Sequence, residues 1–147
     1  MHRVLFVCTG NTCRSPMAEA ILKSKNHEGV EVRSAGVYAM DGASASSNSI
    51  TVMNENSITH NHQSSLLTRA DVEWATVILA MTLSHKQAII SNFPQASSKT
   101  FTLKAFAGED GYPDVSDPYG GDVDVYRATF AELERLIDKA MSRLLKK

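Results

Sequence analysis

Residues 4–22 read VLFVCTGNTCRSPMAEAIL. Val4 to Val7 is a short unbroken apolar run, the pattern of a strand buried on both faces. Met17, Ala18, Ile21 and Leu22 recur at helical spacing behind Pro16, a residue that the first turn of a helix tolerates, and this predicts a helix to about His27, closed by a turn at Glu28 and Gly29. Between strand and helix lies TGNTC. The chain has two cysteines, and both, Cys8 and Cys13, sit at this junction beside Arg14 and Ser15.

The same alternation continues down the chain. Val30 to Ser34 reads as a second strand, residues 45–56 as a helix, Thr76 to Met81 (TVILAM) as another fully buried strand, Ser84 to Asn92 as a helix and Thr100 to Leu103 as a short fourth strand. GEDGYPDVSDPYGG, residues 108–121, is a loop by its glycines and prolines. Tyr126, Phe130, Leu133, Ile137, Ala140 and Leu144 then form one apolar helix face, with Asp122 and Asp124 near its start and Arg143, Lys146 and Lys147 near its end, as the helix dipole favours. The predicted architecture is α/β: a doubly wound, four-stranded parallel sheet with helices on both faces and a strand-loop-helix junction.

At 147 residues and 43% hydrophobic composition, the chain is expected to form a single domain over residues 1–147. Its net charge of −1, without runs of like charge, argues against nucleic acid or a membrane surface as the main partner. Val4 to Val7 is far shorter than a signal-peptide core or a spanning helix, so the cytoplasm is the expected compartment. The spacing Cys8-x4-Cys13 matches no common zinc pattern, and His60-x-His62 has no further ligand residues beside it in sequence; neither a metal nor a cofactor is expected.

A loop that curls at a helix N-terminus turns backbone N–H groups inward and makes a cradle for an anion. Gly10 and Asn11 are the residue types suited to positive φ there, and Arg14 offers a planar fork that matches two phosphate oxygens. A thiol in this field, Cys8, is favoured as the thiolate and is a competent nucleophile for in-line attack on phosphorus. The plainer reading of Cys8, a buried small hydrophobe, leaves the surrounding Gly-Asn and Arg-Ser pattern without a purpose.

CTGNTCRSPMAEA, residues 8–20, resembles the phosphate-binding loop of the low-molecular-weight protein tyrosine phosphatases, and DPYGG, residues 117–121, resembles their general-acid loop. The resemblance spans essentially the whole chain. It implies that Cys8 is the nucleophile and forms a phosphocysteine, that Arg14 clamps the transferring group, and that Ser15 bonds the sulfur. Thr9, Gly10, Asn11, Thr12 and Cys13 complete the loop. Asn11 would hold the loop's shape through side-chain bonds to Ser15, Ser34 and His62. Composition leaves Asp110, Asp114 and Asp117 equivalent as acids; the family's Asp-Pro-aromatic motif selects Asp117, first as acid and then as base for water. Cys13 resembles a second loop cysteine that pairs with the nucleophile under oxidation, which implies redox sensitivity.

Two positions bear on the substrate. Thr12 stands where many members have a bulky aliphatic residue, and this resembles the bacterial protein-arginine phosphatase branch; a hydroxyl suits a guanidinium better than an aromatic ring. An aromatic wall residue of the animal members falls at Met40, while Tyr119 supplies one aromatic wall. The resemblance therefore implies phosphoarginine proteins as first partners and phosphotyrosine proteins as the alternative, with inorganic phosphate released by a monomer. An arsenate reductase would need further cysteines, a phosphocarrier would not need Asp117, and a binding module would tolerate Cys8→Ser.

Overall fold

The computed structural model describes residues 1–60, 62–109 and 111–146. Asp110, one of the three loop carboxylates, and Lys147, the last of the basic residues after the final helix, lie outside the described residues.

The apolar runs become four parallel strands: β1 (His2–Cys8), β2 (Val30–Gly36), β3 (Val77–Ala80) and β4 (Thr100–Thr102), in the order β2-β1-β3-β4. In the central strand the side chains alternate between two cores. Val4, Phe6 and Cys8 pack with Met17 and Ile21 of α1 (Arg14–Lys25) and with Leu133 and Ile137 of α6 (Val123–Leu144). Leu5 and Val7 face the other way, against Val72 of α3 (Arg69–Trp74) and Ile89 of α4 (Leu83–Asn92). This two-sided burial is why β1 and β3 lack polar alternation. α2 (Ser47–Glu55) and α5 (Leu103–Phe106) join the α1 and α6 side through Val52, Met53, Leu103 and Phe106.

Several boundaries differ from the expected ones. α1 begins at Arg14 and ends at Lys25, because Asn26 adopts the left-handed conformation (φ 54°) and its N–H caps the Lys23 carbonyl; Gly29 (φ 76°) only turns the chain into β2. β4 stops at Thr102, whose side chain accepts the Ala105 N–H and starts α5 at Leu103. Three short elements were not anticipated: α3, α5 and a 3₁₀ helix over Pro94–Lys99. Among the described residues no helix is long and apolar enough to cross a membrane.

Winding reverses between β1 and β3, so their carboxyl ends diverge and leave a crevice there, the usual ligand position in an open parallel sheet. Cys8 is the last residue of β1 and Arg14 the first of α1, which places the TGNTC loop at that crevice.

Candidate active site

The loop takes its shape mainly from Asn11. This residue sits at φ 57°, a region that asparagine enters more readily than most, and its side chain is fully buried. Its amide nitrogen donates to Ser15 Oγ at 2.8 Å and to Ser34 Oγ at 2.9 Å, and its amide oxygen accepts the Ser65 N–H at 2.9 Å. Every hydrogen-bonding valence of the side-chain nitrogen is thus used. His62 reaches the Asn11 main-chain carbonyl, 2.6 Å from Nε2, and not the side chain as the family pattern implied. Gly10 does not use positive φ, and a Cβ at this position would meet Thr12 Oγ1 at an ordinary contact distance of 3.6 Å.

Hydrogen-bond direction can be followed from one end of the network to the other. Ser15 Oγ accepts from Asn11 and keeps its single hydroxyl hydrogen, which a Cys8 thiolate, its Sγ 2.8 Å away, can only accept. Ser34, also accepting from Asn11, donates to Glu19 Oε1 at 2.5 Å, and Lys23 pairs with Glu19 Oε2 at 2.8 Å. Burial works to raise the Glu19 carboxyl, but its neighbours His60, Lys23 and Ser34 outweigh burial and hold it down at about 2. Ser15 does not cap α1: Cys13 occupies the cap position without a side-chain bond, and the first turn carries no acidic residue. The amides of that turn are left without a side-chain cap, as an anion site requires.

Arg14 is 6% exposed at its side chain, fixed by a 3.1 Å bond from Nη1 to the Val115 carbonyl, with Nη2 3.7 Å from Asp117 Oδ2. The carboxylates of the loop thereby separate. Asp114 accepts the Leu83 N–H at 2.8 Å and secures the start of α4. Asp117, half exposed, accepts the Tyr119 N–H at 3.0 Å and faces Arg14. A cavity of about 260 Å³ brings together Cys8, Thr12, Arg14, Asp117 and Tyr119. Thr9, Gly10 and Cys13 complete its lining, and Cys8 is 3% exposed at its floor. Met40 is 81% exposed and does not line it. A larger cleft of about 440 Å³, beside Leu22 and Trp74, is lined by neither cysteine, so size does not identify the site.

Cys13 and Cys8 are both free thiols. The Cys13 sulfur lies 3.4 Å from Tyr126 Oη and 3.7 Å from Ser46 Oγ. Ser46 N–H also holds the Thr12 carbonyl at 2.8 Å, so the residue that caps α2 anchors the loop's far side.

Some residues of the site carry no sequence signal that periodicity could catch. His85, in α4, is 6% exposed with Nε2 2.8 Å from Thr9 Oγ1, while Nδ1 is buried without a partner. Burial, and then the charge of Arg14, push His85 down to about 4, so its ring is neutral under the loop. Gly36 is required by close approach: a Cβ there would meet the Thr9 carbonyl at 2.4 Å and the Asn11 nitrogen at 3.0 Å. Glu19 also corrects the expectation that His60 and His62 lack a third ligand residue, since it lies 3.8 Å from a ring nitrogen of each. Sequence spacing hid this, because α1 carries Glu19 there from a distant segment.

Residues 3–147 match the family model described as low molecular weight phosphotyrosine protein phosphatase. The chain is 53% identical, over 97% of its length and 96% of the relative's, to a protein-arginine-phosphatase of Geobacillus stearothermophilus. It is 48% identical to a protein-arginine-phosphatase of Bacillus subtilis, covering 98% of this chain and 97% of that one. The solved YwlE arginine phosphatase of Geobacillus stearothermophilus superposes with a TM-score of 0.95 at 52% identity, covering 99% of this chain and 94% of that one.

Proposed function

The chain belongs to the low molecular weight phosphotyrosine protein phosphatase family, and from that premise we propose that it hydrolyses phosphoarginine in proteins by way of a phosphocysteine. The observation that carries the reading is a single cavity in which Cys8, Arg14 and Asp117 meet a threonine, Thr12, at the wall. Relatives at 53% and 48% identity, named as protein-arginine phosphatases, support the substrate.

The phosphoryl group enters with its oxygens toward the amides at the start of α1 and the Arg14 fork. The sulfur of Cys8, stabilised as thiolate by the Ser15 hydroxyl 2.8 Å away, attacks phosphorus. The S–P bond forms, the P–N bond breaks, and protonated Asp117 delivers its proton to the leaving guanidino nitrogen. Asp117, now a carboxylate, pairs with the departing guanidinium and then takes a proton from the water that attacks the phosphocysteine. The S–P bond breaks, inorganic phosphate leaves, and Ser15 receives the thiolate again.

Thr12 is the substrate selector in this reading. Thr12 lines the cavity while its carbonyl is tied down by Ser46, so the residue is presented from a fixed backbone. A guanidinium is met by a polar group, whereas an aromatic ring loses the apolar contact that a branched aliphatic side chain would give. Tyr119, 80% exposed and lining the cavity, also suits phosphotyrosine. The protein acts as a monomer in the cytoplasm, a compartment consistent with its two free thiols.

The test compares kcat/KM on one phosphoarginine peptide and one phosphotyrosine peptide for the parent and for Thr12→Ile, with Cys8→Ser as the blank. Preference for phosphoarginine in the parent, shifted toward phosphotyrosine in Thr12→Ile, is the expected result. A parent that prefers phosphotyrosine overturns the substrate, and turnover no greater than the blank overturns the mechanism.

A further inference from the structure

We propose that Glu19, His60 and His62 form a binding site for a divalent transition-metal ion of the zinc class, behind the phosphate-binding loop and tied to it through the hydrogen bond between His62 and Asn11.

Glu19 Oε1, His60 Nε2 and His62 Nδ1 lie within 4.8 Å of one another. The tautomer of His62 follows from its partner. A carbonyl accepts only, so the Asn11 oxygen at 2.6 Å requires the hydrogen on Nε2 and leaves a lone pair on Nδ1. Nδ1 lies 3.8 Å from another acceptor, Glu19 Oε1. His60 contributes the second observation. Its side chain is 9% exposed, and its Nε2 is buried without a hydrogen-bond partner, again 3.8 Å from Glu19 Oε1. Two imidazole nitrogens and a carboxylate oxygen thus converge at a separation too long for direct hydrogen bonds.

Such a separation is close to that of atoms sharing an ion. Ligands of a tetrahedral zinc at its usual bond lengths stand about 3.3 Å apart, so each imidazole must close on the carboxylate oxygen by about half an ångström, and the two imidazole nitrogens, within 4.8 Å of each other, by up to about 1.5 Å. Two imidazoles and one carboxylate suit zinc-class ions and leave a fourth position for water. Other partners of Glu19 are arranged compatibly. Lys23 takes Oε2, and the Ser34 hydroxyl orients Oε1 as an outer-sphere donor. His62 likewise has the form of a metal-ligating histidine, its far N–H donated to a backbone carbonyl. A surface cavity of about 290 Å³, bordered by Lys23, Thr59 and His60, gives an ion a way in.

An ion here draws electron density from His62 and strengthens its N–H donation to Asn11. It also fixes Glu19, and with it the Ser34 hydroxyl that accepts from the Asn11 amide. Occupancy therefore stiffens the loop from behind without touching Cys8. The inference does not depend on which phosphorylated residue the enzyme takes.

The experiment uses the full chain carrying Cys8→Ser and Cys13→Ser, because loop thiols are themselves metal ligands. After dialysis against chelator, Zn²⁺ alone is titrated by calorimetry and Co²⁺ by absorption, with and without His60→Gln, while the histidine ring protons are followed by NMR. One equivalent should bind, the cobalt spectrum should lack sulfur-to-metal charge transfer, and the His60 and His62 rings should shift. His60→Gln should weaken binding by more than the roughly 100-fold that outer-sphere changes reach. Zinc binding that vanishes with the two cysteines, equal affinity in His60→Gln, or no ring shift in the cysteine-free protein each overturns the proposal. The ring shifts serve even where His60→Gln does not fold.

Discussion

His85 makes stability depend on acid in a definite window. Its ring is held at about 4 in the folded protein by burial and by Arg14, against 6.5 for an unperturbed imidazole. Between these values the unfolded chain binds a proton that the folded chain refuses, so stability is complete above pH 6.5 and falls as pH drops toward 4. The interval corresponds to about 3 kcal/mol, a large part of the roughly 5–15 kcal/mol of a typical domain. His85→Gln removes the proton but places an amide nitrogen near Thr9 Oγ1, where His85 Nε2 stands at 2.8 Å. Urea unfolding of both proteins across that window measures the difference directly. The advantage of the parent over His85→Gln should shrink by about 3 kcal/mol on acidification. Glu19, held down at about 2, and His62, pushed down by burial, titrate in both proteins and cancel in the comparison. Parallel curves for the two proteins would refute the reasoning.

Ser15→Ala removes the hydroxyl that donates to Cys8 and should lower kcat by about 10–100-fold, the worth of one hydrogen bond to a charged group. The rate of Cys8 alkylation at a fixed pH should fall with it, and an unchanged rate would exclude Ser15 as the sulfur's donor. Gly36→Ala places a methyl 2.4 Å from the Thr9 carbonyl, so the loop must shift; we expect a loss of about 2 kcal/mol in urea unfolding together with most of the kcat/KM. Parent-like stability would mean that β2 yields more readily than its pairing with β1 implies.

How much of this was legible depended on how each residue does its work. VLFV and TVILAM announced themselves as strands because both faces are buried, and the face of α6 followed from the buried and partly buried apolar positions that recur between Tyr126 and Leu144. α3 and α5 are too short for periodicity. α3 buries only Val72, although Thr68 and Asp71 form a capping box whose spacing is readable in sequence. His85 sits among polar neighbours in α4, and Glu19 is the one charged residue in the run MAEAIL of α1; each looks solvated in one dimension. What buries them is the packing of α4 beneath the loop and of α1 against β2. Met40 failed for the opposite reason: position in an alignment placed it at a wall, whereas the chain after β2 carries it out to solvent.

Asn11 links fold and chemistry through its valences. The position needs two hydrogens, for Ser15 and Ser34, an acceptor for the Ser65 N–H, and tolerance of φ 57°. Aspartate offers acceptors only, so it would leave both serines without their donor and free the Ser15 hydroxyl to turn from Cys8 toward the new carboxylate. Glutamine has the same amide, but its longer arm cannot reach both hydroxyls from the same Cα, and its cost in the left-handed region is higher. Glycine fits the backbone and supplies no bonds. Asparagine alone among these meets the backbone and side-chain demands together, so the reactive state of Cys8 and the geometry of the loop are set by one side chain, and loss of either should accompany loss of the other.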